Sequence, residues 1–327
     1  PSIVQEFRFN LLKYLSFLEQ DRFNEAICHY KKEISGVCRL HISKCSLSIQ
    51  EIYIYISGLY KFETGQYQDS IELFKSALEI TTDKDIPQKL SYNIALAYYR
   101  LYDFCSSLVY AKKALSIYIN SHNWIMAADC YNLIASILIE SNKLNEAIEY
   151  IEKGFSVLQY QEINETHAKL YHNRSLIYLR EQKHVEALSN INNCIKIKQN
   201  LKTSSVFTSV YTKLNIFLET GDLIRFKENL DILQRLAKSN NDIAKTKFSE
   251  AKMHYKTKEF SIYERLMKEC VLTFYSNKDW RNVKLAAEHY STYLANSRSY
   301  KSAFQYLKIC TEAYKNIYRE VEGGGIE

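Results

Sequence analysis

The chain has 327 residues, 46% of them hydrophobic, with 27 Tyr, 15 Phe and a net charge of +6. That apolar content excludes a disordered chain, and charges this mild and interspersed do not call for nucleic acid. Only 2 Pro and 8 Gly are present, too few for a fold built from strands and tight turns, so long helices with brief connections are expected. No window of 18 or more apolar residues occurs, so no helical membrane span is expected. The segment Pro1 to Asn10 carries Glu6 and Arg8 and lacks the apolar centre of a signal peptide, which gives a cytoplasmic expectation. The sequence opens on Pro1 without an initiator Met, and residues or a domain removed upstream are part of that expectation.

Taken in order, residues 1–48 read as an N-terminal helical hairpin, Phe9 to Ile34, followed by a connection from Ser35 to Ser48. Residues 49–320 read as a repeat array, and 321–327, with three successive glycines, as a flexible tail. The array shows itself through small residues. One series runs Ala26, Ser70, Ser107, Ala147 and Ala187, passes through the bulkier Phe226 and Tyr263, and ends at Ala303. Its spacings are 44, 37, 40, 40, 39, 37 and 40 residues. Twelve positions before it stand Gly58, Ala95, Ala135, Ser175, Ala251 and Ser291. Seven after it stand Ala77, Ala114, Gly154, Cys194, Cys270 and Cys310. Small residues at three fixed places let paired helices, and then pairs of pairs, approach closely. This pattern resembles the tetratricopeptide repeat with a lengthened linker. The expected fold is all-α, a right-handed superhelical solenoid of about eight helix-turn-helix repeats. Cys194, Cys270 and Cys310 then read as compact apolar core groups. Leu214, Phe226 and Tyr263 at small positions predict looser packing or displaced helices in their units, and Tyr14 and Glu33 mark the first unit as an atypical cap.

In a tetratricopeptide stack the first helix of each pair lines the concave face. Its exposed positions lie fifteen, fourteen, eleven and seven before the first small series. At fifteen stand Tyr55, Tyr92, Asn132, His172 and Tyr211; at fourteen, Asn93 and Asn173; at eleven, Asn215. At seven stand Glu63, Arg100, Glu140, Arg180 and Glu219, and Asp129 and Lys169 lie one turn earlier than Asn132 and Asn173. Asn is a poor helix former, and its amide both donates and accepts, so it can clamp a peptide backbone whatever the side chains are. Glu140 can anchor a basic side chain and Tyr offers broad contact at low entropic cost. Against this stands the plain alternative that these amides pair with neighbouring helices. The candidate peptide-binding residues are Tyr55, Tyr92, Asn93, Asp129, Asn132, Glu140, Lys169, His172, Asn173, Tyr211 and Asn215.

The segments Tyr55 to Leu78, Tyr92 to Leu115 and Cys130 to Gly154 resemble the Rap, NprR and PlcR type of bacterial peptide-pheromone receptors. The order of units and the stretch Tyr306 to Val321 fit the same pattern. The resemblance implies a short linear peptide, secreted and re-imported, bound on the concave face. It implies that Asn173 grips the peptide backbone and that Glu140 pairs with a basic ligand residue, where the family usually carries Asp. Relatives commonly form homodimers through C-terminal repeats, so a homodimer is expected. Rap-type members act on response regulators through an N-terminal bundle. NprR-type and PlcR-type members act through an N-terminal helix-turn-helix DNA-binding domain. With one hairpin ahead of the repeats, the chain reads as the sensor part of a transcription regulator. A Rap-like regulator of a response regulator and a plain protein scaffold remain as alternatives.

None of the common phosphate, zinc-protease or nucleophile motifs, such as GxxxxGK[ST], HExxH or GxSxG, occurs. The eight Cys form no CxxC pair, and the one Cys/His cluster, Cys28, His29, Cys38, His41 and Cys45, lacks the short defined spacings of a zinc site. No enzyme activity, cofactor or metal is expected.

Overall fold

The computed structural model describes residues 3–20, 22–36, 42, 45–81, 86–203 and 205–322. Among them every regular element is helical, and no helix is long and apolar enough to cross a membrane. The order is α1 (Ile3–Glu19), α2 (Phe23–His29, continued by a π-helical turn Tyr30–Ile34), α3 (Leu47–Glu63), α4 (Tyr67–Ile80), α5 (Ile86–Arg100), α6 (Phe104–Asn120), α7 (Trp124–Glu140) and α8 (Leu144–Val157). It continues with α9 (Glu165–Arg180), α10 (His184–Asn200), α11 (Val206–Thr220), α12 (Leu223–Leu236), α13 (Asn240–Lys256), α14 (Phe260–Ser276), α15 (Trp280–Asn296) and α16 (Tyr300–Glu322). The glycines assigned to a flexible tail lie outside the described residues, as do Cys38 and His41.

The repeat period follows from local structure. Helices α6 and α7 have 17 residues each, and three-residue turns after each complete the 40-residue spacing. Turn after turn places one residue in the left-handed region, where L side chains are strained. Gly65 and Gly221 hold that place at φ 79° and 74°, while Tyr102, Asn142, Gln182, Lys258 and Arg298 hold it without a glycine's freedom. After some of these turns a side chain caps the next helix: Asp103, Asn123, Asp222 and Asp279 accept from the backbone N–H three residues on.

The small series meet as their spacing requires. Ser70 donates to the carbonyl of Gly58 at 2.9 Å, Ser107 to that of Ala95 at 2.7 Å, and Ser175 to that of Ala187 at 2.8 Å. A Cβ on Gly58 would stand 2.5 Å from the Phe74 ring, and one on Gly154 would stand 2.7 Å from the Leu170 side chain. Hydrogen there is a packing requirement, because any larger group overpacks a filled interior.

The chain divides into two compact units, Pro1–Ser141 and Asn142–Glu327. In the first, the N-terminal hairpin packs directly on the helix that follows it. Phe7, Leu11, Tyr14, Tyr30 and Ile34 share one core with Ile49 and Ile56 of α3, and Tyr30 stacks on Tyr60 at 4.0 Å. The second unit holds its own cores, one around Phe226 and Leu230 and one around Tyr263, Met267 and Phe274. In the unit that carries Leu214 and Phe226 the two paired helices approach less closely than in the neighbouring pairs. Leu214, Phe226 and Tyr263 are all fully buried, and the Tyr263 hydroxyl is satisfied by Nδ1 of His289 at 2.8 Å. Cys194 and Cys270 are buried as expected of core groups, while Cys310 is only partly so.

Candidate functional site

The second unit carries a cleft of about 860 Å³. Its walls are four first helices, α9, α11, α13 and α15. His172, Leu176 and Leu179 come from α9, and Phe207, Tyr211, Asn215 and Glu219 from α11. Phe248, Lys252 and Tyr255 come from α13, and Arg281, Leu285, Glu288 and His289 from α15. The register explains the set. His172, Tyr211, Phe248 and Glu288 all lie fifteen before the first small position of their pair; Leu176, Asn215 and Lys252 lie eleven before; Glu219 and Lys256 lie seven before. These offsets fall on one stripe of a 3.6-residue helix, and repetition sets the stripes side by side.

The polar groups in this cleft are held in place. Lys252 donates to Oδ1 of Asn215 at 2.8 Å and lies over the Phe248 ring at 4.9 Å. Burial lowers its pKa to about 8, with Glu219 in opposition. Burial likewise holds His172 neutral, down to about 3, assisted by the nearby Lys198 cation. His172 Nδ1 lies 3.4 Å from the hydroxyl of Ser209, which also accepts from the buried Lys198 at 3.0 Å. Burial pushes the Tyr211 hydroxyl up to about 12. His289, bonded to Tyr263, is lowered by burial and by Lys252. Asn173 is buried on α9, and Lys169, one turn earlier, is half-buried. Asn173 does not line the cleft; Asn215 does, but its oxygen is taken by Lys252.

The first unit holds the remaining candidates, again on first helices. On α3 and α5, Asn93 donates to the Tyr55 hydroxyl at 3.4 Å, and Tyr55 packs on Phe74 at 6.1 Å. Tyr92 packs against the Cys130 and Tyr118 cluster, and burial, with Asp129 beside it, drives its hydroxyl well up. Asp129 is buried on α7, and Asn132 and Glu140 are half-buried on the same helix. Burial raises the Glu63 carboxyl, with Arg100 in opposition. Asn93 and Asn215 thus show the neighbour-pairing alternative at work: each amide has a side-chain partner on an adjacent first helix.

Continued from Tyr263 and Ala303, the same offsets reach Phe248, Lys252, Lys256, Glu288 and His289. Cations, amides and neutral imidazoles set in an aromatic wall make a surface suited to binding. Among the described residues no group of three or more His, Cys, Asp or Glu could hold a metal ion.

The fold and this cleft define the class: an array of helix-turn-helix repeats whose first helices form a recognition surface. A tetratricopeptide-repeat family model matches residues 128–157. The transcriptional activator NprA of Geobacillus stearothermophilus is 22% identical over 263 residues, covering 76% of this chain and 64% of that relative. The chain therefore spans a little under two thirds of that relative's length. The structure of a Rap protein complexed with competence and sporulation factor superposes with a TM-score of 0.79 at 15% identity, over 98% of this chain and 89% of that one. NprR in complex with its cognate peptide NprX superposes with a TM-score of 0.72 at 16% identity, over 96% and 89%. This chain is similar to the Rap and NprR receptors and has their fold.

Proposed function

We propose that the chain is the sensor part of a cytoplasmic, peptide-responsive transcription regulator, binding a short linear peptide along the first-helix face of its repeats. The observation that carries this reading is the cleft on four successive first helices, long and aromatic, with fixed hydrogen-bonding groups at helical intervals. The names of two relatives support it: NprR with its cognate peptide on this fold, and NprA as a transcriptional activator. The regulatory output itself is carried by contacts or domains that the cleft does not contain. Ligand can shift such a protein only by its differential affinity for two forms, so a peptide bridging several helices is the suitable effector.

The binding residues in the cleft on this reading are His172, Tyr211 and Asn215 together with Phe248, Lys252 and His289. Tyr211→Ala or Asn215→Ala is expected to weaken peptide binding while helical content by circular dichroism stays constant. Unchanged calorimetric affinity in both variants would remove this cleft as the binding site.

The reading includes a homodimer. On α16, Tyr300, Phe304, Leu307, Thr311 and Tyr314 recur at alternating spacings of four and three, a heptad seam, and all are exposed. Ala303, Tyr306, Cys310 and Ala313 of the same helix face inward onto the Tyr290 core. A self-complementary seam of this kind suits a second copy of the chain.

A further inference from the structure

The cleft in the second unit is not neutral. Lys245, Lys252, Lys256 and Arg281 line it, against Glu219 and Glu288. The two carboxylates are exposed, while Lys252 sits deeper among Tyr211, Phe248 and Asn215. An ammonium has three donors, and the Asn215 oxygen takes one. Asn215 thereby acts as an orienting group, holding the cation against the aromatic wall. His289, on the facing helix α15, is kept neutral by burial and by Lys252 and has Nδ1 tied to Tyr263. A desolvated cation is expensive unless an anion joins it, and a charge-assisted bond made away from water is a strong one.

We infer that Lys252, oriented by Asn215, is a carboxylate-reading point in this cleft, and that the peptide bound here presents a carboxylate to it with an apolar side chain against Phe248, Tyr255 and Leu285. This rests on the peptide-receptor reading and adds the ligand's chemistry to it. It differs from the role the family resemblance gives Glu140, which concerns a basic ligand residue. The carboxylate is either the peptide's C-terminus or an Asp or Glu side chain, and the pocket chemistry is the same for both.

The test uses the full chain immobilised and three synthetic heptapeptide pools: one with free C-termini, one C-terminally amidated, and one amidated and lacking Asp and Glu. Retained peptides are quantified by mass spectrometry on the wild type and on Lys252→Met and Asn215→Ala. Loss of an ionic hydrogen bond predicts roughly tenfold or greater loss of retention for Lys252→Met. It predicts a similar loss for whichever pool lacks the recognised carboxylate: a fall on amidation assigns the C-terminus, and a fall only in the third pool assigns a side chain. Equal retention of all three pools, with Lys252→Met unaffected, overturns the carboxylate inference and leaves the receptor reading standing. No retention of any pool by a folded wild type overturns the receptor reading and this inference together. Circular dichroism of each variant checks that retention is compared between folded proteins.

Discussion

Lys252 shows at the scale of one residue how a buried cation costs stability. In the unfolded chain its ammonium has the ordinary value of 10.5, and in the folded protein burial brings it to about 8. A depressed lysine binds fewer protons folded than unfolded between those values. Stability therefore rises with pH across that window, and the full penalty is present below about pH 8. Lys252→Met keeps the stem and removes the charge, so the variant is expected to melt above the wild type at pH 7, with the advantage shrinking between pH 8 and pH 10.5. Equal melting temperatures at pH 7 would mean the cation is solvated better than its place among Tyr211, Phe248 and Asn215 implies. Nothing in the sequence marked Lys252, because a lysine in a helix is ordinarily a solvated residue. Only its offset of eleven from Tyr263 carried the information, and Tyr263 does not look like a small position. Asn93 and Asn215 were legible as first-helix amides, but their partners, Tyr55 and Lys252, lie 38 residues before and 37 after, one repeat away, where single-helix patterning does not reach.

At the scale of helices, the pattern was legible because packing imposes it. Gly58, Ser70 and Ser107 are small because a ring or a backbone carbonyl occupies the space beside them. The exceptions were harder to read. Phe226 and Tyr263 suggested looser packing or displaced helices; the helices of the Phe226 pair do stand further apart, and both side chains are fully buried, with His289 bonding the Tyr263 hydroxyl. The hairpin α1–α2 read as an atypical cap, and its apolar residues bury against α3, a contact between elements that composition cannot display. Helix α16 is the converse case, with a seam left largely exposed: Tyr300 is 68% exposed, Phe304 58% and Leu307 50%. A charge in a heptad seam is strongly disfavoured. Phe304→Glu with Leu307→Glu is therefore expected to turn a dimer into a monomer in analytical ultracentrifugation, with helical content preserved. A wild type that sediments as a monomer at high concentration contradicts the seam's assignment.

For the molecule as a whole, repetition is the means by which sequence becomes a surface. One helical stripe is an ordinary amphipathic face; four of them, at nearly constant spacing, bring His172, Tyr211, Phe248 and Glu288 into a single cleft. Composition already limited the chain to helices, and the small series limited it to paired helices that stack. Which side chains a ligand meets depended on the first-helix register, which was readable wherever a small residue marked it. The central claim is that the first-helix face is where a linear peptide binds. Photo-crosslinking tests it most directly: the folded protein is irradiated with a heptapeptide pool carrying a photoreactive phenylalanine, and the adducts are mapped by peptide mass spectrometry. Adducts concentrated on α9, α11, α13 and α15, at residues such as Tyr211, Phe248 and Leu285, are the predicted result; adducts confined to the second helices α10, α12 and α14 would contradict it.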